Sequence, residues 1–97
     1  MVVISKKIIL DFCLAEHKAK DALLRWYRIV ELSDWANLNT MKEVFNDVDY
    51  VGNDRFVFNI GGNRYRIVTM IHFSKRTVYV RFIGTHSAYD KINCKTI

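Results

Sequence analysis

The feature that most constrains this chain is a pair of alternating runs in its C-terminal half, residues 64–73 and 77–83, separated only by Ser74-Lys75-Arg76. In the first run Tyr65, Ile67, Thr69, Ile71 and Phe73 fall on one side, and Arg64, Arg66, Val68, Met70 and His72 on the other. In the second, Val78, Val80 and Phe82 oppose Thr77, Tyr79, Arg81 and Ile83. A period of two marks a half-buried strand. A three-residue link is too short for a parallel crossover, so the two runs form an antiparallel hairpin. Residues 55–60 read as a further strand, joined through a Gly61-Gly62-Asn63 turn, and no proline interrupts any of them.

Matching apolar side to apolar side fixes the register. Phe73 is expected opposite Val78, because a slip of one residue would drive Arg81 into the core and Val80 into water. That register puts Arg81 across from Met70, pairs Phe58 with Ile67 and leaves Asn59 beside Arg66. The sheet then has a dry side and an open side displaying Asn59, Arg64, Arg66, His72, Tyr79 and Arg81.

Helices are predicted for the dry side. Val2-Val3-Ile4 reads as a short strand, and Ser5 as the N-cap of a helix over residues 6–15. Residues 16–18 look like a break. From 19 to 32, Ala19, Ala22, Leu23, Trp26, Ile29 and Val30 recur at helical spacing. A third short helix is expected over 40–45, capped by Asn39 or Thr40, with Glu43 completing a capping box if Thr40 is the cap. Trp26, Tyr27 and Trp35 read as core. At 97 residues, with 51% hydrophobic, the chain makes one α+β domain. The expected architecture is an antiparallel β-sheet with a concave open face and two to three helices packed on the other face.

A net charge of +5 fits a packed core under a positive surface, which suits either a polyanionic partner or plain solvation. Cys13 sits among Ile8, Ile9, Leu10, Phe12 and Leu14 and reads as a reduced, buried thiol, while Cys94 stands alone; neither a disulfide nor a zinc site is expected. The apolar run at Ile8-Ile9-Leu10 is broken by Asp11, so neither a membrane span nor a signal peptide is read here, and the cytoplasm is the expected location. Asp47, Asp49 and Gly52 fit the first, third and sixth positions of a calcium loop, but Val51 and Phe58 occupy positions that need oxygen ligands.

Chemistry gathers in Ile83-Gly84-Thr85-His86-Ser87-Ala88-Tyr89-Asp90-Lys91-Ile92, at the end where Arg81 leaves the sheet. Two arginines grip phosphate oxygens, an aromatic face stacks a base, and a histidine moves protons near neutral pH. None of the three strand runs, 55–60, 64–73 and 77–83, contains a carboxylate for a two-metal site, and His72 and His86 lack zinc-spaced partners. No metal and no cofactor is therefore expected. RNA can be cut without either, since its own 2′-hydroxyl attacks the adjacent phosphorus once a protein supplies alignment, proton transfer and positive charge. Arg66, Arg81, His86 and Tyr89 suit those tasks. A non-catalytic RNA-binding module would use the same arginines, and His86 as a mere anchor of the tail weighs about equally.

The stretch from GNDRFVFNIGGNRYRIVTMI through YVRFIGTHSAYDKI resembles the HigB family of bacterial toxins in the RelE/ParE superfamily. The phrase FNIGGNRYRIV, the R-F-I-G-T-H turn and the following Y-D-K carry the likeness. The resemblance implies a type II toxin that cleaves messenger RNA, commonly on the ribosome, and is silenced by a HigA-like antitoxin with a helix-turn-helix domain. It places Arg66 and Arg81 at the scissile phosphate. His86, Tyr89, Asp90 and Lys91 fall on the family's C-terminal catalytic segment, with His86 as general base, Asp90 orienting it, and Tyr89 either stacking on a base or relaying a proton. Lysines that some RelE members use ahead of the central strands are absent; only Arg55 is near, with Lys42 further back. The ParE branch, which poisons DNA gyrase on the same fold, is the alternative within the superfamily.

Overall fold

A computed structural model describes residues 1–97. The chain runs β1 (Val2–Ile4), α1 (Lys6–Ala15), α2 (Lys20–Leu32), α3 (Leu38–Lys42), β2 (Val48–Gly52), β3 (Arg55–Ile60), β4 (Tyr65–His72), β5 (Thr77–Thr85) and α4 (His86–Tyr89), with single 3-10 turns at His17–Ala19 and Phe73–Lys75. The five strands make one sheet in the order β1-β5-β4-β3-β2. All neighbours are antiparallel except β1, which pairs with β5 in parallel. The expected α+β architecture is present, and the sheet is mixed because the N-terminal β1 adds to the edge of β5 in parallel, beside an antiparallel run of β2 to β5.

The helices bury one stripe each against the sheet. Ile9 and Cys13 are the buried positions of α1, and Leu23, Trp26 and Val30 those of α2, three and four residues apart as one helical face requires. Trp26 meets Phe58 edge to face at 5.3 Å, Phe58 meets Phe45, and Phe45 meets Trp35. Each such pair adds about 0.5–1.5 kcal/mol beyond simple burial. Trp26 and Trp35 are core, as expected, whereas Tyr27 is half-buried under the Lys6 ammonium.

Local readings needed correction at several points. Ser5 precedes α1 but takes a left-handed φ of 79° and makes no side-chain cap. The third helix starts earlier: Asn37 is its cap, its Oδ1 accepting from Thr40 N at 3.0 Å while Thr40 Oγ1 accepts from Asn37 N. The connector rich in Asn and Asp contains β2, a strand whose polar residues face solvent at the sheet edge.

The largest correction concerns register. β3 and β4 pair as expected, Phe58 with Ile67 and Asn59 with Arg66. Between β4 and β5, however, Val78 lies opposite Ile71, not Phe73, because Phe73 has already left the strand for a 3-10 turn. Thr69 pairs with Val80 and Val68 with Phe82, so Arg81 is an extra residue, a β-bulge. It faces Met70 in neither half of the ladder. Beyond the bulge the alternation is inverted: Ile83 joins Val80 in the core, and Phe82 turns to the opposite face.

Candidate active site

Strand pairing and alternation bring Arg66, Phe82 and Gly84 onto the face away from α1 and α2, with Arg66 directly opposite Gly84. Gly84 has no alternative to being small. A Cβ there would stand 2.5 Å from Phe82 Cζ and 3.2 Å from the Ala88 side chain. That closeness seats α4 on this face. Thr85 ends β5 and caps α4, its Oγ1 accepting from Ala88 N at 3.2 Å, so His86 is the first helical residue and not the cap.

The short helix delivers two of the expected side chains together. His86 Nδ1 lies 3.3 Å from Asp90 Oδ2, one turn apart, both side chains more than half exposed. Tyr89 lies over Arg66, its ring centre 5.6 Å from the guanidinium carbon. Burial pushes the Tyr89 phenol above its ordinary value, and its contact with the Cys94 thiol at 3.7 Å adds to that; the Arg66 guanidinium pulls the other way without cancelling it. At neutral pH the ring is therefore an uncharged phenol, suited to packing and proton donation and unsuited to acting as a base.

Other expected residues divide between this cluster and the far end of the sheet. Asn59 is beside Arg66 in the ladder, its amide donating to Asp47 O at 3.4 Å. Arg64 is exposed in the turn before β4, and its carbonyl accepts from His86 N at 3.2 Å, tying the turn to α4. Arg81 is exposed at the bulge, and Lys91 is exposed just after α4. His72 and Tyr79 pack edge to face on each other at 5.6 Å. His72 sits six strand residues from Arg66 and Tyr79, opposite Met70, four, roughly 20 and 13 Å along β4 and outside the cluster.

The face between the two ends is not open. Val57 and Val68, paired across β3 and β4 on this side, are 2% and 0% exposed yet do not belong to the main core. The chain after α4 returns over them: Asn53 Nδ2 donates to Lys95 O at 2.9 Å, and Arg55 donates to Ile97 O through Nε at 3.1 Å and Nη2 at 2.6 Å. Sequence reasoning missed this strap, along with the contacts of Arg55, Asn63 and Cys94. The one available hint was that Val57 and Val68 are apolar where a solvated face calls for polar residues. No group of three His, Cys, Asp or Glu side chains converges to hold a metal ion.

A five-stranded mixed sheet with helices packed on one face is consistent with a RelE-like fold. Residues 19–92 match the HigB_toxin family, described as the RelE-like toxic component of a toxin-antitoxin system, and the chain belongs to that family. Among known proteins it is 30% identical over 73 residues to the mRNA interferase HigB of Escherichia coli O6:H1 (strain CFT073), covering 73% of this chain and 71% of that one. It is 39% identical over 54 residues to the mRNA interferase toxin HigB of Escherichia coli (strain K12), and equally to the mRNA interferase HigB of Shigella flexneri. Those two matches span 53% of this chain and about half, 51%, of each relative. Membership of a toxin-antitoxin family implies an antitoxin partner. No helix is long and apolar enough to cross a membrane.

Proposed function

We propose that the protein is an endoribonuclease that cleaves messenger RNA, acting on the ribosome and requiring no metal. The observation that carries the reading is the Arg66 guanidinium held under the Tyr89 ring next to the His86-Asp90 pair. The relatives named mRNA interferase support the substrate class. His86 removes the proton of the RNA 2′-hydroxyl, Asp90 orients the imidazole through Nδ1, and the new alkoxide attacks the adjacent phosphorus. Arg66 and Arg81 stabilise the charge that builds on the phosphate oxygens, a contribution worth about 10²- to 10³-fold per well-placed donor. The bond to the 5′ oxygen breaks, that oxygen takes a proton from water while His86 returns its own to solvent, and the products are a 2′,3′-cyclic phosphate and a 5′-hydroxyl. Tyr89, uncharged, packs on Arg66 and offers its face to a base. Arg64, Asn59 and Lys91 line the approach, while His72 and Tyr79 belong to a more distant contact with the RNA. The partner in this reading is a HigA-like antitoxin with a helix-turn-helix domain, and the site of action is the cytoplasm.

The test is induction of the wild type and of Arg66→Ala plus Arg81→Ala, with mapping of transcript 5′ ends. Growth arrest with new cuts in phase with codons, carrying 2′,3′-cyclic phosphate ends and abolished in the double variant, is the expected result. Arrest without cuts would move the target to gyrase or another non-nucleolytic one. Binding without cleavage would leave an RNA-binding module.

A further inference from the structure

The turn between β3 and β4 is a motif that the proposed reaction leaves idle. Gly61, Gly62 and Asn63 all take positive φ, 62°, 62° and 76°. Glycine enters that region freely, and asparagine is one of the few residues with a side chain that tolerates it. A third glycine at 63 would make the same turn with less strain. Turn geometry therefore does not account for the side chain at this position.

What the side chain does is visible at Arg66. Asn63 Oδ1 accepts from Arg66 Nη1 at 3.3 Å, the one hydrogen bond this guanidinium makes. Its ladder neighbours do not hold it: the Asn59 amide is turned to Asp47 O, and Gly84 has no side chain. The Tyr89 ring lies over the guanidinium, 5.6 Å from its carbon, and a ring face does not direct individual N–H groups as a hydrogen bond does. Of the five N–H donors of an arginine, the Asn63 bond takes one, and four remain for phosphate oxygens.

We infer that Asn63 is a positioning residue for Arg66, setting the rotation of the guanidinium so that its free fork meets the scissile phosphate. The inference rests on the nuclease reading above. An arginine left to rotate presents its fork to phosphate only part of the time, and misplacement of a catalytic group lowers the rate without weakening binding in proportion.

The experiment compares wild type, Asn63→Gly, Asn63→Asp, Arg66→Ala and the Asn63→Gly/Arg66→Ala double variant. The readout is the rate of cleavage of a short defined message in a reconstituted translation reaction, with thermal unfolding alongside. Glycine keeps the backbone and removes the oxygen; aspartate keeps an oxygen and tolerates the same φ. Asn63→Gly is expected to cut about tenfold more slowly, the effect of one hydrogen bond to a charged group, with an unfolding midpoint at or above wild type. Asn63→Asp is expected to recover most of the rate, and the double variant to be no slower than Arg66→Ala. A merely structural role would leave Asn63→Gly at the wild-type rate. That result beside an inactive Arg66→Ala overturns this inference alone, as does further slowing in the double variant. No cleavage by the wild type, or full cleavage by Arg66→Ala, removes the nuclease reading and this inference together.

Discussion

At the scale of single residues, Gly84 and Tyr89 show how the site constrains its own chemistry. Gly84→Ala puts a methyl group where the Phe82 ring and Ala88 already stand. Overpacking of that kind costs about 1–3 kcal/mol, so the variant is expected to lose that much in urea unfolding, and cleavage with it as α4 lifts. Tyr89 makes a statement about pH. Its phenol is raised in the folded chain by burial, so the fold holds that proton more tightly than the unfolded chain does. Its contribution to stability is full below the ordinary tyrosine value of about 10 and is lost as pH rises through the raised one. Urea midpoints compared at pH 9 and 11 should fall less in Tyr89→Phe than in wild type. The raised phenol of Tyr27 and thiol of Cys13, also shifted mainly by burial, add alkaline losses of the same sign to both proteins.

At the scale of elements, the bulge in β5 governs what faces what. Arg81→Ala should leave the fold's far-ultraviolet dichroism and unfolding midpoint nearly unchanged, because its side chain is exposed at the bulge. Deletion of Arg81 should leave unfolding cooperative, since Val80 and Phe82 already oppose the consecutive Thr69 and Val68 and the regular ladder still turns Phe82 out and Ile83 in. The same bulge marks where sequence reading stopped. Alternation across β3 and β4 is unbroken, so Phe58 with Ile67 and Asn59 with Arg66 were legible from polarity alone. In β5, Val78, Val80 and Phe82 continue the period of two through the bulge, and nothing in those residues announces that the ladder slips. α1 and α2 were legible because their apolar spacing is helical over three turns. β2 was not, because an edge strand with Asp49 and Tyr50 turned to solvent has the composition of a loop. Of the candidate site, Asp90 as the partner of His86 was expected without the helix that brings them together, whereas the contact of Tyr89 with Arg66 depends on α4 folding back over the sheet.

At the scale of the whole molecule, the strap across Val57 and Val68 separates the Arg66 cluster from His72 and Tyr79 and leaves a short working surface at one end of the sheet. Although the chain carries +5 overall, few of its cations border that surface: Arg64, Arg66, Arg81 and Lys91. A single RNA strand bound there displaces few counterions. With about 0.7 released per phosphate neutralised, three or four such contacts give a log–log salt slope of only about −2 to −3, and a slope well beyond −4 in filter-binding titrations would show that cations other than these four also meet the RNA. A shallow slope means weak electrostatic capture in free solution, and under the proposed function the message would then be held in place by something other than this protein's own charge.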